Sequence, residues 1–390
     1  MIQNQTITGI MFLIFTGTAI LSTIALFTRQ SLLIAYIALG AAFGPWGLKL
    51  ISNATVINEA GDIGIIFLLF LLGLHLQPQN LFHSLRKMSL LTLISSVIFF
   101  IMGFAPSYFF HFSLQESAIL GLAAMFSSTI IGIKLLPTTI LHHQHTGELM
   151  ISILLLQDII AIAVMLLLEI IAGRSSSFMH IGAIVLGFPV LLTVAYLFQR
   201  YVLSKLLERF DTVHEYIFIL SIGWCLCMAE ISHAFGLSDE IGAFIAGVAL
   251  ASNPISLYIA ESLKPLRDFF LVLFFFTVGA SFNFDYLPDV IVPASLIAAL
   301  LLLSKPITFQ WLLRRSGEVK HISWEVGVRL GQMSEFSLLV AYMAAENGLL
   351  TPLAAYTLEA AIIITFIVSC YFTVLRFPTP MAVTEQLRRD

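Results

Sequence analysis

The sequence predicts an all-α integral membrane protein of thirteen transmembrane helices, arranged as two inverted six-helix repeats around a linker helix. Three observations carry that prediction: composition, the segregation of basic residues, and internal similarity at a fixed shift. Hydrophobic residues make up 59% of the 390 and charged residues 11%, with a mean hydropathy of +0.97, far from the balance of a water-soluble domain. Crossing a hydrocarbon core of about 30 Å takes roughly twenty apolar residues of helix, and such segments recur from residue 8 to residue 376. The strict alternation of a membrane β-barrel is missing from these segments.

Apolar runs between polar breaks place the spans at 8–27, 31–48, 61–77, 88–109, 117–136, 147–172, 178–199, 214–234, 238–252, 266–283, 287–311, 323–345 and 352–376. The first, TGIMFLIFTGTAILSTIALF, has no basic residue before it and no small-residue cleavage site after it, and reads as a retained span. Cys225, Cys227 and Cys370 all fall in apolar segments, so neither a disulfide framework nor a thiolate metal site is expected. No cofactor and no nucleic-acid partner are expected either.

The basic residues test the count. An odd number of spans assigns every loop to a side, and fifteen of the 19 lysines and arginines then share the side of the carboxyl terminus. Lys49 and Arg174 lie opposite, while Lys305 and Arg329 fall inside spans. The positive-inside rule makes the richer side cytoplasmic, with the amino terminus outside.

A shift of about 207 residues sets AYIALG (35–40) over GAFIAG (242–247), and Gly73 of FLLGLHLQ opposite Gly279 of FFTVGASFN. It also sets Ser127 of FSSTIIG opposite Ser334 of MSEFSLL. The domain thus divides into a repeat over about 8–172, a linker over about 178–199 and a repeat over about 214–376, followed by a short cytoplasmic tail, 377–390. Inverted repeats are the architecture of secondary transporters, whose sites lie near the bilayer midplane where broken helices meet.

Polar residues at that depth are the candidates. Asp158 of LLLQDIIAI lies eleven residues into the sixth span, about 17 Å deep by helical rise. A carboxylate there costs roughly 2.5–3.5 kcal/mol, and such residues usually face a cavity or a partner and mark an ion path. Lys305 stands about 14 Å from Arg314 along the eleventh span, a depth that suits an ion pair with Asp158, and Pro306 beside it would loosen the backbone. Snorkelling of Lys305 to the interface is the alternative. Ser127, Ser128 and Thr129 in the fifth span, and Ser334 and Glu335 in the twelfth, mark breaks in two opposed helices, where hydroxyls and freed carbonyls suit alkali cations. Glu335 either binds the ion, neutralises Arg329 or holds the broken helices. His142, His143 and His145 read as solvated residues of a cytoplasmic loop, and His75 as a packing residue.

Taken together, LGAAFGPWGLKL, FLLGLHLQPQNL, FSSTIIG, LLLQDIIAI, GLSDEIGAFIAGVALAS, FFFTVGASFNF and GQMSEFSLLV resemble the transmembrane domain of the monovalent cation:proton antiporter-2 family, most closely its Kef-type potassium/proton branch. The resemblance implies a homodimer in a bacterial inner membrane, with a scaffold and a core in each protomer. It implies two crossed discontinuous helices, the fifth and twelfth, as in sodium/proton antiporters. It also implies that Asp158 alternately carries a cation and a proton in an elevator-like movement of the core. The regulatory nucleotide-binding domain usual in the Kef-type branch is not expected in the residues after the last span. GLHLQP, with His75 and Gln77, replaces the two acids common after the third span.

The expectation for function is exchange of a monovalent cation, potassium or sodium, for a proton. Asp158 is the shared ligand, and Gln157, Ser127, Ser128 and Thr129 supply or support oxygen ligands. Lys305, Glu335, Ser334 and Arg329 pair with or support that site. A proton-independent channel or uniporter would need a filter loop that is not apparent, and an organic-ion symporter fits a lone aspartate less well.

Overall fold

The protein is described from a computed structural model, which covers residues 6–28, 30–51, 54–75, 78–129, 132, 141–172, 178–210, 212–235, 237, 239–253 and 255–377. Among these residues the regular secondary structure is all helical, with no strand. In chain order the helices are α1 Ile7–Phe27, α2 Leu32–Phe43, α3 Ala54–His75, α4 Pro78–Phe109, α5 Leu114–Ala124, α6 Leu141–Ala172, α7 Phe178–Phe198 and α8 Ser204–Arg209. There follow α9 His214–Ala234, α10 Asp239–Ala251, α11 Ser256–Ser262, α12 Lys264–Ser281, α13 Leu287–Arg315, α14 Lys320–Arg329, α15 Glu335–Glu346 and α16 Pro352–Arg376.

Seven helices among the described residues are long and apolar enough to cross a membrane: they correspond to the first, fourth, sixth, seventh, eighth, eleventh and thirteenth expected spans. Several of the remaining spans are short or interrupted, for physical reasons. The second and ninth contain helices of 12 and 13 residues. The twelfth breaks between Arg329 and Glu335, and the fifth stops being helical over 126–128. Residues 130, 131 and 133–136 of that fifth span, and 378–390 of the tail, lie outside the described residues.

Two boundaries differ from expectation. Helix α3 begins at Ala54 rather than 61, its polar first turns extending the apolar run. LHHQHTGEL, read as a loop, forms the start of α6, which at about 1.5 Å per residue is longer than the hydrocarbon core is thick. The side chains of His75, His142 and His143, and Gln77 entirely, lie outside the described residues. His145 is described: its Nε2 stands 2.8 Å from Glu318 Oε2 in the turn between α13 and α14. Pro306 does not interrupt α13, which runs unbroken past it.

Helix packing separates the molecule into two groups. Helices α1, α2, α3, α9, α10 and α12 pack on one another, as do α4, α5, α6, α13, α14, α15 and α16. Within the first group two crossings bring backbones into contact. A Cβ at Gly40 of α2 would collide with the Phe276 carbonyl oxygen of α12, and one at Gly279 with the Ile37 carbonyl oxygen. At the α3–α10 crossing, Gly73 abuts the Phe244 carbonyl oxygen and Gly247 that of Phe70. Small residues are what let membrane helices approach this closely.

Candidate ion-binding site

The second group is organised around the two breaks. Helix α5 is started by a capping box, with Ser113 Oγ accepting from the Glu116 amide at 3.2 Å and Glu116 accepting from the Ser113 amide at 2.9 Å. It ends at Ala124, leaving carbonyls without the next helical turn's donors. Helix α14 ends at Arg329 in the same way, and α15 begins afresh at Glu335. Its cap is Ser334, whose Oγ accepts from the Phe336 amide at 3.1 Å.

The freed groups satisfy one another across the breaks. Ser127 Oγ donates to the Leu330 carbonyl at 2.9 Å, and Ser337 Oγ donates to the Ala123 carbonyl at 2.6 Å. Gln332 Nε2 reaches the Ser128 carbonyl at 3.4 Å, while its Oε1 accepts from Ser369 of α16 at 2.8 Å. Helix α16 also steadies the second break through Thr365, whose Oγ1 accepts from the Met333 amide at 3.2 Å.

Lys305 stands where the carbonyls gather. Fully buried, its ammonium donates to the Phe126 carbonyl at 2.5 Å, the Gln332 carbonyl at 3.0 Å and Ser127 Oγ at 3.3 Å. The ring of Phe99 lies 5.1 Å from Nζ. Carboxyl-terminal helix ends carry partial negative charge, so two of them together make a better partner for a buried ammonium than open lipid does. The expected ion pair with Asp158 is therefore absent: neither residue bonds the other. The backbone carbonyls that took its place become available only once both helices break.

Asp158 lies on α6 and is buried, with 3% of its surface exposed. Its neighbour Gln157 is spliced into the first break. Gln157 Oε1 accepts from the Ser127 amide at 3.0 Å, and Nε2 donates to the Met125 carbonyl at 3.2 Å. Gln157 thus holds the non-helical backbone in place, and Asp158, about 100° further round the helix, follows from that anchor. No described residue hydrogen-bonds the Asp158 carboxyl. Glu335, at the amino-terminal end of α15, is close enough to act on its charge. Helix amino termini favour such carboxylates. Thr129 Oγ1 is buried without a hydrogen-bond partner, and Ser128 is buried at the same break.

Arg329 is a supporting residue. Its guanidinium meets Glu325 one turn earlier at 2.9 Å and the ring of Phe377 at 5.6 Å, placing a cation on the last turn of α14 where the helix dipole favours one. The structure thus gathers Gln157, Ser127, Ser128, Lys305 and Ser334 at the two breaks, with Asp158 and Glu335 beside them. Sequence reading missed Ser337, Ser369 and Thr365, common residues in membrane helices whose role appears only across elements. It also missed Glu359, a lone acid inside the apolar TLEAAIIITF of α16. Among the described residues no cluster of three or more His, Cys, Asp or Glu side chains could hold a metal ion.

Interrupted helices that meet at their breaks are the arrangement on which the sites of many secondary transporters are built. The transmembrane sodium/hydrogen exchanger family matches residues 11–376, and the chain belongs to that family. It is an integral, multi-pass membrane protein. Its relatives include the glutathione-regulated potassium-efflux system protein KefC of Salmonella arizonae, 30% identical over 397 residues, covering 96% of this chain and 62% of that protein. KefC of Escherichia fergusonii is likewise 30% identical over 397 residues, with 98% and 62% covered. The Kef-type resemblance carried by the sequence motifs therefore holds, and the chain spans about three fifths of the length of these relatives. The solved structure of the sodium proton antiporter MjNhaP1 from Methanocaldococcus jannaschii shares the fold, with a TM-score of 0.70 at 18% identity over 93% of this chain and 95% of that one.

Proposed function

We propose that the protein exchanges a monovalent cation, potassium or sodium, for a proton across the membrane, with Asp158 binding each in turn. The observation that carries this reading is a buried carboxyl, without a hydrogen bond from any described residue, beside two facing helix breaks. An ionised Asp158 is costly in a dry interior, and a proton or a bound cation removes that cost. Because either ligand excludes the other, the site crosses loaded, and exchange follows. Ser128, Thr129 and the freed carbonyls are the oxygen donors for the cation, while Gln157, Ser127 and Lys305 hold the break that presents them. Lys305 spends its charge on helix ends, so the aspartate faces its ion without a competing internal cation.

The movement is an elevator of the second helix group against the first. In support, among the described residues the backbones of the two groups approach closely at few points, chiefly where α16 meets α2. The inverted repeat has support in the glycine crossings. The shift that matches Gly40 to Gly247 and Gly279 to Gly73 converts the α2–α12 crossing into the α10–α3 crossing. Each glycine then meets the carbonyl three residues before its opposite number. The same shift converts Leu330 into Ala123, and each of these carbonyls accepts from a serine of the other break. Thirteen spans, an external amino terminus, a homodimer and a bacterial inner membrane complete the proposal.

The test is purified protein in liposomes with a trapped pH-sensitive dye. Added potassium or sodium should dissipate a preset pH gradient, each cation tried in turn. Asp158→Asn should abolish exchange while leaving the melting temperature near that of the parent; full exchange by that variant overturns the reading.

A further inference from the structure

Glu359 stands seven residues into α16, in the midst of apolar side chains. Its Oε2 is buried with no hydrogen-bond partner. The residue borders a cavity of about 20 Å³, lined also by Gly61 of α3, Thr277 and Ser281 of α12, and Leu338 and Tyr342 of α15. A water needs roughly 10–15 Å³ of such space, and a dehydrated potassium ion is of similar size. Thr277, Ser281 and Tyr342 bring hydroxyl-bearing side chains to the lining, beside the apolar Ile65, Phe274 and Val278, and hydroxyl oxygens are among the hard donors that alkali cations select.

The charged and titratable surroundings are few. Tyr342 faces the cavity from α15, and Tyr356 stands one turn before Glu359 on α16, its hydroxyl donating to the Ser281 carbonyl at 3.3 Å. Beyond it lies Tyr286, its ring 5.1 Å from that of Tyr356. Among the described residues no lysine or arginine lines the cavity. Glu359 is only partly buried, but a carboxylate oxygen sealed from water with no hydrogen bond demands a proton or a cation of its own.

The cavity also lies on a line of acids. Leu338 and Tyr342 follow Glu335 by three and seven residues, the spacing that puts side chains on one face of a helix. Glu335 in turn acts on Asp158. One face of α15 therefore leads from the neighbourhood of Asp158 to Glu359, along the seam where the two helix groups meet.

From this arrangement we infer that Glu359 is a second exchanging carboxyl, an outer station that passes cations and protons between the external medium and Asp158. The inference rests on the exchange reading and on its orientation, in which α16 enters from outside and Glu359 lies about 10 Å below Pro352 by helical rise. An arriving cation takes the carboxylate as Glu359 gives up its proton toward the external medium; the reverse reloads the proton. Because the seam is also the sliding surface of the proposed elevator, the station is rebuilt at each stroke.

Two measurements decide it. In vesicles sorted by orientation, Glu359→Gln should raise the half-saturating cation concentration about tenfold at the outer face, the scale of one lost charge-assisted contact. The cytoplasmic face should keep its value, and Glu359→Asp should restore the outer one. No change at either face, or an equal rise at both, overturns the proposal. Independently of transport, a hydrophobic carbodiimide should modify Glu359 in the unaltered chain, read by peptide mass, and potassium or sodium should protect it. Absent labelling, or labelling indifferent to both cations, overturns the station. An unaltered chain that labels with cation protection but never dissipates a pH gradient would instead overturn the exchange reading.

Discussion

The two kinds of helix crossing in this molecule are built on opposite principles. At Gly40–Gly279 and Gly73–Gly247 the helices stay whole, and backbone meets backbone with no side chain between. Where the interrupted α5 and the α14–α15 pair meet α6, the broken helices give up their own hydrogen bonds, and freed amides and carbonyls are met by serines, glutamines, Thr365 and Lys305. Close packing of unbroken helices makes a rigid frame, since nothing polar is left to rearrange. A break exposes oxygen atoms to an ion, but in lipid it must bring its own donors and charges. The contrast assigns the frame to the first group and the chemistry to the second.

The largest effect should come from removing Lys305. Lys305→Met relieves the cost of burying an ammonium, yet it cannot donate to the backbone carbonyls of Phe126 and Gln332 that the ammonium serves. Two buried acceptors left without donors cost roughly 2–5 kcal/mol. The variant should melt well below the parent in detergent, and exchange should be lost with it. A melting temperature at or above the parent's would mean that the breaks hold themselves together, and the comparison would fail.

Next in size is Gly279→Ala, which drives a methyl into the Ile37 carbonyl. Backbone cannot step aside as a flexible side chain can, so overpacking should cost about 1–3 kcal/mol. The melting temperature should fall while the half-saturating cation concentration stays near that of the parent. A variant that keeps its stability but loses cation affinity would move the ion chemistry into the frame and blur the distinction drawn above.

The frame and the breaks were not equally legible in the sequence. Asp158, Ser127 and Ser334 were visible because polar side chains in apolar runs are costly and few. The frame glycines were visible as equivalents, Gly73 opposite Gly279, but each in fact touches the other's neighbour in the repeat, a crosswise pairing that no linear shift displays. Lys305 was found, and its partner misjudged, because a sequence shows side chains and hides carbonyls; the nearest visible opposite charge was Asp158, whereas the real acceptors belong to broken backbone. Glu359 escaped for want of a motif, although its charge alone among TLEAAIIITF was the same signal that Asp158 gave.

The smallest effect tests how the polar crossing is tied down at its edge. Glu116, just before the fifth expected span, accepts from the Ser113 amide at 2.9 Å and from both the amide and the hydroxyl of Thr351, at 3.0 and 2.5 Å, at the cap of α16. Burial pushes its carboxyl up, but the hydrogen bonds from Thr351 and Ser113 outweigh burial and hold it below the ordinary carboxylate value. A group depressed in the folded state contributes stability above its unfolded pKa, about 4.3 for glutamate, and loses it as pH falls through the lower folded value. Glu116→Gln keeps the shape but weakens charge-assisted bonds to neutral ones, a loss of about 1–2 kcal/mol. Thermal melts of the variant should therefore lie a few degrees below the parent at neutral pH, with the gap closing on acidification below about pH 4. A gap unchanged by acid would make the tie one of packing. The α5–α16 edge would then resemble the glycine frame more than the breaks it encloses.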